Sequence, residues 1–227
     1  MSQFSQFAHW FRQGGLFMYP ILIVGVLVLA IAAERFWSLR TISAWNARKW
    51  IDDLVRLAGR GDLSGAARHC EGVETPVGKV AQSMLVAMQT SKNAEIAAER
   101  MRLASEDAAL LHLPPLARRV PYLNLLANTA TLLGLLGTIL GLTGAFAAVG
   151  AASPAQRSAL LARGISEALN CTAFGLLIAV PALLLHGYFA GRVDSVVEQV
   201  DEVTVRLGRS LLDARQEIDA RDERRSA

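Results

Sequence analysis

The chain has only two cysteines and few aromatic side chains, and its charged residues avoid three long stretches. Cys70 and Cys171 lie far apart and form no CxxC or Cys/His cluster, so neither a zinc site nor a disulfide framework is predicted. No basic tract interleaves with aromatic residues, so nothing specific indicates nucleic-acid binding. There is also no HExxH motif and no pair of aspartates within the apolar stretches. We therefore expect no enzyme, no cofactor and no metal.

What the sequence does contain is hydrophobic residues, which make up 52% of the chain. They gather into uncharged runs at 13–33, 120–156 and 168–191. A membrane-spanning helix needs about 20 consecutive apolar residues, so each run is long enough to cross a bilayer. The first run is longer than a typical signal-peptide core, so we expect it to stay uncleaved. The sequence therefore predicts an all-α integral membrane protein with three transmembrane helices.

Lysine and arginine are distributed unevenly among the connecting segments. Twelve lie in 40–119 and seven from residue 192 onward, against one before the first run and two in 151–166. Because basic residues are enriched on the cytoplasmic side, we expect an N-out, C-in topology. The predicted organisation begins with a periplasmic segment and the first transmembrane helix at 1–39, followed by a cytoplasmic helical domain at 40–121. The second transmembrane helix at 122–150 is joined by a short periplasmic loop at 151–166 to the third at 167–191. A cytoplasmic C-terminal helix and tail follow at 192–227.

The predicted cytoplasmic domain carries two helix-start signals. Asp62 follows a glycine and is typical of an N-cap, and Thr75 precedes Pro76, which suits the first helical position. The residues from there to His112 are mostly good helix formers. We therefore expect this segment to be helical.

Small residues mark one face of the second span. Their spacings of three and four residues place them along one broad helix face, where small side chains let helix backbones approach closely in lipid. These predicted packing residues are Gly134, Gly137, Gly141 and Gly144. Two hydroxyls, Thr131 and Thr138, lie one heptad apart on a neighbouring stripe. On the residues alone, the simplest interpretation is that each donates to the carbonyl one turn earlier.

The third span begins with an acidic residue, Glu167. An ionisable group at the membrane edge is a functional candidate, although a carboxylate at a helix start is also favoured by the helix dipole alone. Asn170 and Cys171 follow on roughly the same face, whereas Thr172 points well away from it. His186, near the other end of the span, fits an interfacial anchor better than a proton relay.

These spans resemble those of the MotA/TolQ/ExbB proton-channel family. The resemblance rests on GLLGTILGLTGAF in the second span and GISEALNCTAFGLLIAVPA in the third, in this order and spacing. In the first span, Gly14-Gly15, Met18-Tyr19-Pro20-Ile21 and Glu34-Arg35 are similar to the ExbB/TolQ branch. The cytoplasmic segment resembles the family in length and helical character rather than in motif.

The resemblance implies a role for particular residues. In this family two threonines line a proton path and an acidic residue begins the third span, and the matching positions here are Thr138, Thr172 and Glu167. Small and kinking residues of the second block, Gly175 and Pro181, are expected to serve helix packing. The resemblance therefore favours a proton-path role for the two threonines over purely local hydrogen bonding.

The resemblance also implies an assembly in the bacterial inner membrane. Such chains form a homopentameric ring around the single helices of two ExbD/TolR-like partners, and protons crossing between ring and partner power a periplasmic client. That client is of the TonB or TolA type in some branches. A motor subunit driven by the proton motive force is therefore the first hypothesis. The alternative is a non-conducting membrane scaffold whose small-residue face only packs helices.

Several positions depart from the common family pattern. Thr131 and Arg163 occupy places where proline is frequent, and His186-Gly187 replaces a frequent Tyr-Asn pair. None of these removes a predicted site residue. A physical point stands beside the resemblance, because three helices cannot enclose a pore and no acidic residue lies in mid-span. The group that carries the proton is therefore expected on another chain.

Overall fold

The computed structural model describes residues 10–11, 13–43, 46–91 and 93–226, and within these ranges it contains helices and no β-strand. The predicted segment before the first span is thus described only in part, since residues 1–9 and Arg12 lie outside the described residues. Ala227, the end of the predicted tail, lies outside them as well. The helices that carry the description below are α1 (Met18–Ser43), α2 (Ala47–Gly59), α3 (Leu63–Cys70), α4 (Pro76–Gln89), α5 (Ala94–His112), α6 (Pro114–Ala117), α7 (Val120–Ala151) and α8 (Pro154–Ser226).

Three of the described helical stretches are long and apolar enough to cross a membrane, at Met18–Leu39, Ala94–Ala151 and Pro154–Glu217. Each overlaps one of the uncharged runs of the sequence. The all-helical fold class and the three candidate spans are therefore confirmed. Helices suit this role because every backbone N–H and C=O inside lipid needs a partner within its own segment.

The two predicted helix starts outside the spans are confirmed. Asp62 caps α3, where its carboxylate accepts from the Gly65 backbone N–H at 2.8 Å and from the Ser64 hydroxyl at 2.9 Å. These hydrogen bonds, the backbone one first, hold the pKa of the Asp62 carboxyl below its ordinary value. Thr75 caps α4 by accepting from the Gly78 N–H at 3.3 Å. Side-chain acceptors are needed here because the first turn of a helix leaves its N–H groups unpaired.

Most of the segment that connects the second and third spans is helical. The sequence predicted a loop over 151–166, whereas α7 ends at Ala151 and α8 already begins at Pro154. Ala152 is extended, with ψ 154°, and this residue turns the chain out of α7. The Gln156 N–H donates to the Ser153 carbonyl at 2.9 Å, and the two side chains are 3.0 Å apart. A serine before a proline at the first helical position favours a helix start, which explains the difference.

The described residues fall into two compact units. The span unit comprises Met1–Trp37 and Arg119–Phe189, and the connecting unit comprises Ser38–Arg118 and Ala190–Ala227. Within the connecting unit, Leu54 of α2, Met84 of α4 and Leu207 of α8 lie in one buried apolar core. At its edge, Arg206 pairs with Asp52 at 2.6 Å. The predicted helical domain therefore has a hydrophobic core of its own, which includes the end of α8.

Candidate proton-pathway site

Within the span unit α7 and α8 approach closely, and a glycine of each helix faces the other. A Cβ added to Gly134 would lie 3.2 Å from the Cα of Thr172. A Cβ added to Gly175 would lie 2.7 Å from the carbonyl oxygen of Ala130 and 3.2 Å from the Cα of Gly134. Backbone meets backbone at this crossing, so no side chain separates the helices. Such contacts supply the packing that associates helices in lipid.

Further glycines continue this contact along both helices. A Cβ at Gly137 would overlap the sulfur of Cys171, and one at Gly141 would lie 3.3 Å from the Cβ of Ala168. Beyond them, a Cβ at Gly164 of α8 would overlap the Cβ of Ala145. We call this line of contacts the glycine seam; its glycines are Gly134, Gly137, Gly141, Gly164 and Gly175. Gly164 was not singled out from the sequence, because it lies in the segment expected to be a loop.

Two residues expected to serve packing lie outside the glycine seam. A Cβ at Gly144 would meet nothing within 4 Å in the described part of the chain, although its spacing continues the series. Pro181 is exposed inside α8, where it interrupts the backbone hydrogen bonding of a continuous helix. Gly144 therefore has no close neighbour on α8 in the described part of the chain. At this turn of α7 the contact with α8 passes through the neighbouring Ala145, which lies against Gly164, and Gly144 is exposed beside it.

The two candidate threonines make different hydrogen bonds. Thr172 is half-buried, and its hydroxyl donates across the glycine seam to the Gly134 carbonyl at 2.9 Å. Thr138 is also half-buried, but its hydroxyl donates to the Leu135 carbonyl of its own helix at 2.6 Å. Thr131 makes a similar local bond, to the Ala127 carbonyl at 3.1 Å. The local interpretation of the hydroxyls thus describes Thr131 and Thr138, whereas Thr172 links two helices.

Glu167 lies half-buried near the start of α8 in a contact that the sequence did not predict. Its carboxylate lies against Gly15, where an added Cβ would be 2.8 Å from the carboxyl carbon. One turn later, the amide oxygen of Asn170 accepts from the indole N–H of Trp10 at 2.8 Å. Gly15 stood out in the sequence only as part of the family resemblance. Its contact spans about 150 residues, and neither periodicity nor spacing can detect such a pairing.

The other end of the span unit carries an ionic cluster and a histidine. Glu34 accepts from Arg35 at 2.9 Å and from Arg119 at 2.5 Å. His186 donates from Nδ1 to the Val120 carbonyl at 3.1 Å, which ties α8 to the start of α7. This bond fits the interfacial anchoring expected for His186. Among the described residues, no group of three or more His, Cys, Asp or Glu side chains is arranged to hold a metal ion.

A profile of the MotA/TolQ/ExbB proton channel family matches residues 73–202, which is more than half of the chain. The chain belongs to this family. Relatives agree: a biopolymer transport protein named as an ExbB homolog in Methanothermobacter thermautotrophicus is 27% identical over 87% of this chain and 68% of its own length. A Synechocystis protein named ExbB-like 3 is 30% identical over 78% of this chain and 81% of its own.

The branch within the family follows from the same comparisons. The Tol-Pal system protein TolQ of Haemophilus influenzae is 37% identical to this chain over 98 residues, which cover 41% of this chain and 42% of that protein. The relatives above carry ExbB names. The predicted resemblance to the ExbB/TolQ branch of the MotA/TolQ/ExbB proton channel family is thereby confirmed, as is the prediction of a multi-pass membrane protein.

Proposed function

We propose that this chain is the ring-forming subunit of a proton-driven motor in the bacterial inner membrane. It uses the proton motive force, together with an ExbD/TolR-like partner, to deliver energy to the periplasm or the outer membrane. The observation that carries the proposal is the Thr172 hydroxyl, which lies in the glycine seam and donates to Gly134. A polar side chain at a helix crossing inside an apolar span is expensive unless it serves a contact or a path.

In this proposal the chain lines the proton path but does not supply the group that binds the proton. The uncharged runs of the second and third spans contain no acidic residue, and Glu167 stands just before the third. A threonine hydroxyl does not ionise near neutral pH, so it passes a proton only by donating one hydrogen bond while it accepts another. Thr172 and Thr138 therefore need a neighbouring group that can take up and release the proton. That group is proposed to be a membrane aspartate of the single-span partner. While the Thr172 hydroxyl donates its hydrogen bond to the Gly134 carbonyl, its oxygen keeps lone pairs that accept from water or from such a group.

If this chain lines the path and a partner binds the proton, the two must assemble together. We propose five copies in a ring around two partner helices, with the N-terminus and the α7–α8 turn facing the periplasm and α2–α6 in the cytoplasm. The excess of Lys and Arg in 40–119 and after residue 192 supports this orientation. The family resemblance implies that the client is a TonB- or TolA-like periplasm-spanning protein. The transported ion is the proton, and no bound cofactor takes part.

The decisive test replaces each hydroxyl by a methyl group. Thr172→Val and Thr138→Val in the complex, reconstituted in vesicles with its partner, should reduce proton-driven acidification to the background of empty vesicles. Thr143→Val is the matched control, because Thr143 also lies on α7 and its hydroxyl also donates within its own helix, to Ile139. It should keep wild-type conduction. Thr172→Ser should keep most of the activity, since the hydroxyl remains.

The scaffold alternative is favoured by one observation, the glycine seam itself, which packs helices whether or not protons move. It predicts that the two valine variants conduct and assemble like the wild type, and that no small single-span protein with a membrane aspartate copurifies. Full activity in both variants would therefore overturn the hydroxyl pathway. A stoichiometric partner of that type, measured by native mass of the complex, would overturn the scaffold.

A further inference from the structure

The segment that precedes the first span packs along the same face of α8 that begins with Glu167. We call the described residues of 10–17 the N-terminal strap. Trp10 donates its indole N–H to Asn170, and its ring meets Phe174 edge-on at 5.8 Å between centroids. Phe11 meets the same ring at 5.7 Å. Since Glu167, Asn170 and Phe174 are spaced by about one helical turn, the strap follows one stripe of α8.

The contact at Glu167 depends on a glycine. Gly15 has φ +74°, a left-handed conformation that side chains rarely adopt, and an added Cβ would overlap Oε1 of Glu167. Two other described glycines, Gly61 and Gly72, have almost the same φ. A Cβ on either would meet nothing within 4 Å. Those two glycines serve only their turns, whereas Gly15 also makes room for a carboxylate.

We propose that Gly15 and Trp10 are positioning residues that hold the Glu167 carboxylate against the strap and away from bulk water. The inference rests on the proposed function, in which Glu167 stands at the outer end of the proton path. Gly15 sets where the carboxylate lies, and the Trp10–Asn170 hydrogen bond fixes the strap one turn further along α8. Displacing the strap therefore exposes Glu167 and changes how protons reach the path.

Site-resolved chemical labelling tests the position of the carboxylate directly. The intact complex in membranes is treated with a water-soluble carbodiimide and an amine, and modification of Glu167 is quantified by peptide mass spectrometry across pH. We expect Gly15→Ala and Trp10→Phe to raise the labelling rate of Glu167 severalfold over the wild type. Gly61→Ala is the matched control, since it adds the same methyl group at the same φ in open space, and it should leave the rate unchanged.

A double-mutant cycle separates contact with the carboxylate from general damage to the turn. In a Glu167→Asp background the shorter side chain withdraws from Gly15. Adding Gly15→Ala to this background should then change labelling of residue 167 much less than it does in the wild type. An equal effect in both backgrounds would overturn the inference, as would wild-type labelling in both Gly15→Ala and Trp10→Phe.

Proton conduction of the same variants supplies a separate result. The pH profile of vesicle acidification should shift in Gly15→Ala while the native mass of the complex stays unchanged. If the wild-type complex fails to conduct but the labelling pattern appears as expected, the strap holds Glu167 and the proposed motor function fails. If conduction follows the threonine test but labelling of Glu167 ignores the strap, the motor function stands and this inference fails.

Discussion

The backbone contact at Gly175 leaves no room for a methyl group. In Gly175→Ala the new Cβ would lie 2.7 Å from the Ala130 carbonyl oxygen, and backbone atoms cannot rotate aside as a side chain does. We expect α7 and α8 to separate locally and the Thr172–Gly134 hydrogen bond to lengthen. Overpacking of this kind costs about 1–3 kcal/mol, visible as a lower thermal unfolding midpoint in detergent.

The control for this prediction lies on the same helix. Gly187→Ala also adds a methyl group within α8, but its Cβ would meet nothing within 4 Å among the described residues. Its unfolding midpoint should match or slightly exceed that of the wild type, because alanine has the higher helix propensity. Equal midpoints for Gly175→Ala and Gly187→Ala would contradict the close backbone approach.

At the scale of residues, sequence spacing indicates which side chains share a helix face, but it does not show which of them the neighbouring helix contacts. The glycine spacing predicted packing at Gly134, where an added Cβ would lie 3.2 Å from the Cα of Thr172. At Gly144 the spacing does not identify the contact residue, since α8 lies against the neighbouring Ala145 through Gly164. Thr138 and Thr172 looked alike in sequence, yet one donates within its own helix and the other across to Gly134.

At the scale of helices, start signals predict more reliably than polarity does. Asn93 caps α5 by accepting from the Ile96 backbone N–H at 2.9 Å. Asn93→Ala removes that acceptor and should lower stability by about 1 kcal/mol, with faster amide exchange in the first turn of α5. Asn93→Asp keeps an acceptor and adds a charge that the helix dipole favours, so it should exchange no faster than the wild type. Protection that is unchanged in Asn93→Ala would contradict the cap.

The segment 151–166 shows what polarity alone does not reveal about local structure. Its polarity and the end of the apolar run suggested a loop, but Ser153 and Pro154 carry the start signal of α8. Past them, the residues to 166 are mostly helix formers, and only Gly164 interrupts them. Polarity predicts where a helix leaves the membrane, whereas capping and propensity decide where it begins.

At the scale of the whole chain, the spans were predictable and the strap was not. Lipid forces long uncharged runs to be helical, so composition alone located all three candidate spans. The pairing of Trp10 with Asn170 joins residues 160 positions apart, and it depends on how the strap folds back. Orientation across the membrane is carried by the distribution of Lys and Arg, and it stays a prediction.

The two native cysteines should interfere little with a cysteine-labelling measurement of that orientation. Burial raises the pKa of the Cys70 thiol to about 12, so almost none of it is thiolate at neutral pH. Cys171 is buried in the span unit, against Gly137. Because maleimides react with thiolates, neither native cysteine should label appreciably in the folded protein. Single cysteines introduced at exposed positions can therefore be compared without removing the native ones.

The N-out, C-in topology predicts opposite labelling at the two ends of α8. Ala155→Cys lies exposed at the first turn of α8, and Val205→Cys replaces a side chain that is 51% exposed in the connecting unit. An impermeant maleimide added to spheroplasts should label Ala155→Cys at once and Val205→Cys only after the membrane is permeabilised. The wild-type chain controls for Cys70 and Cys171. Labelling of Val205→Cys in sealed spheroplasts, with Ala155→Cys protected, would invert the topology and place Glu167 at the cytoplasmic end of the path.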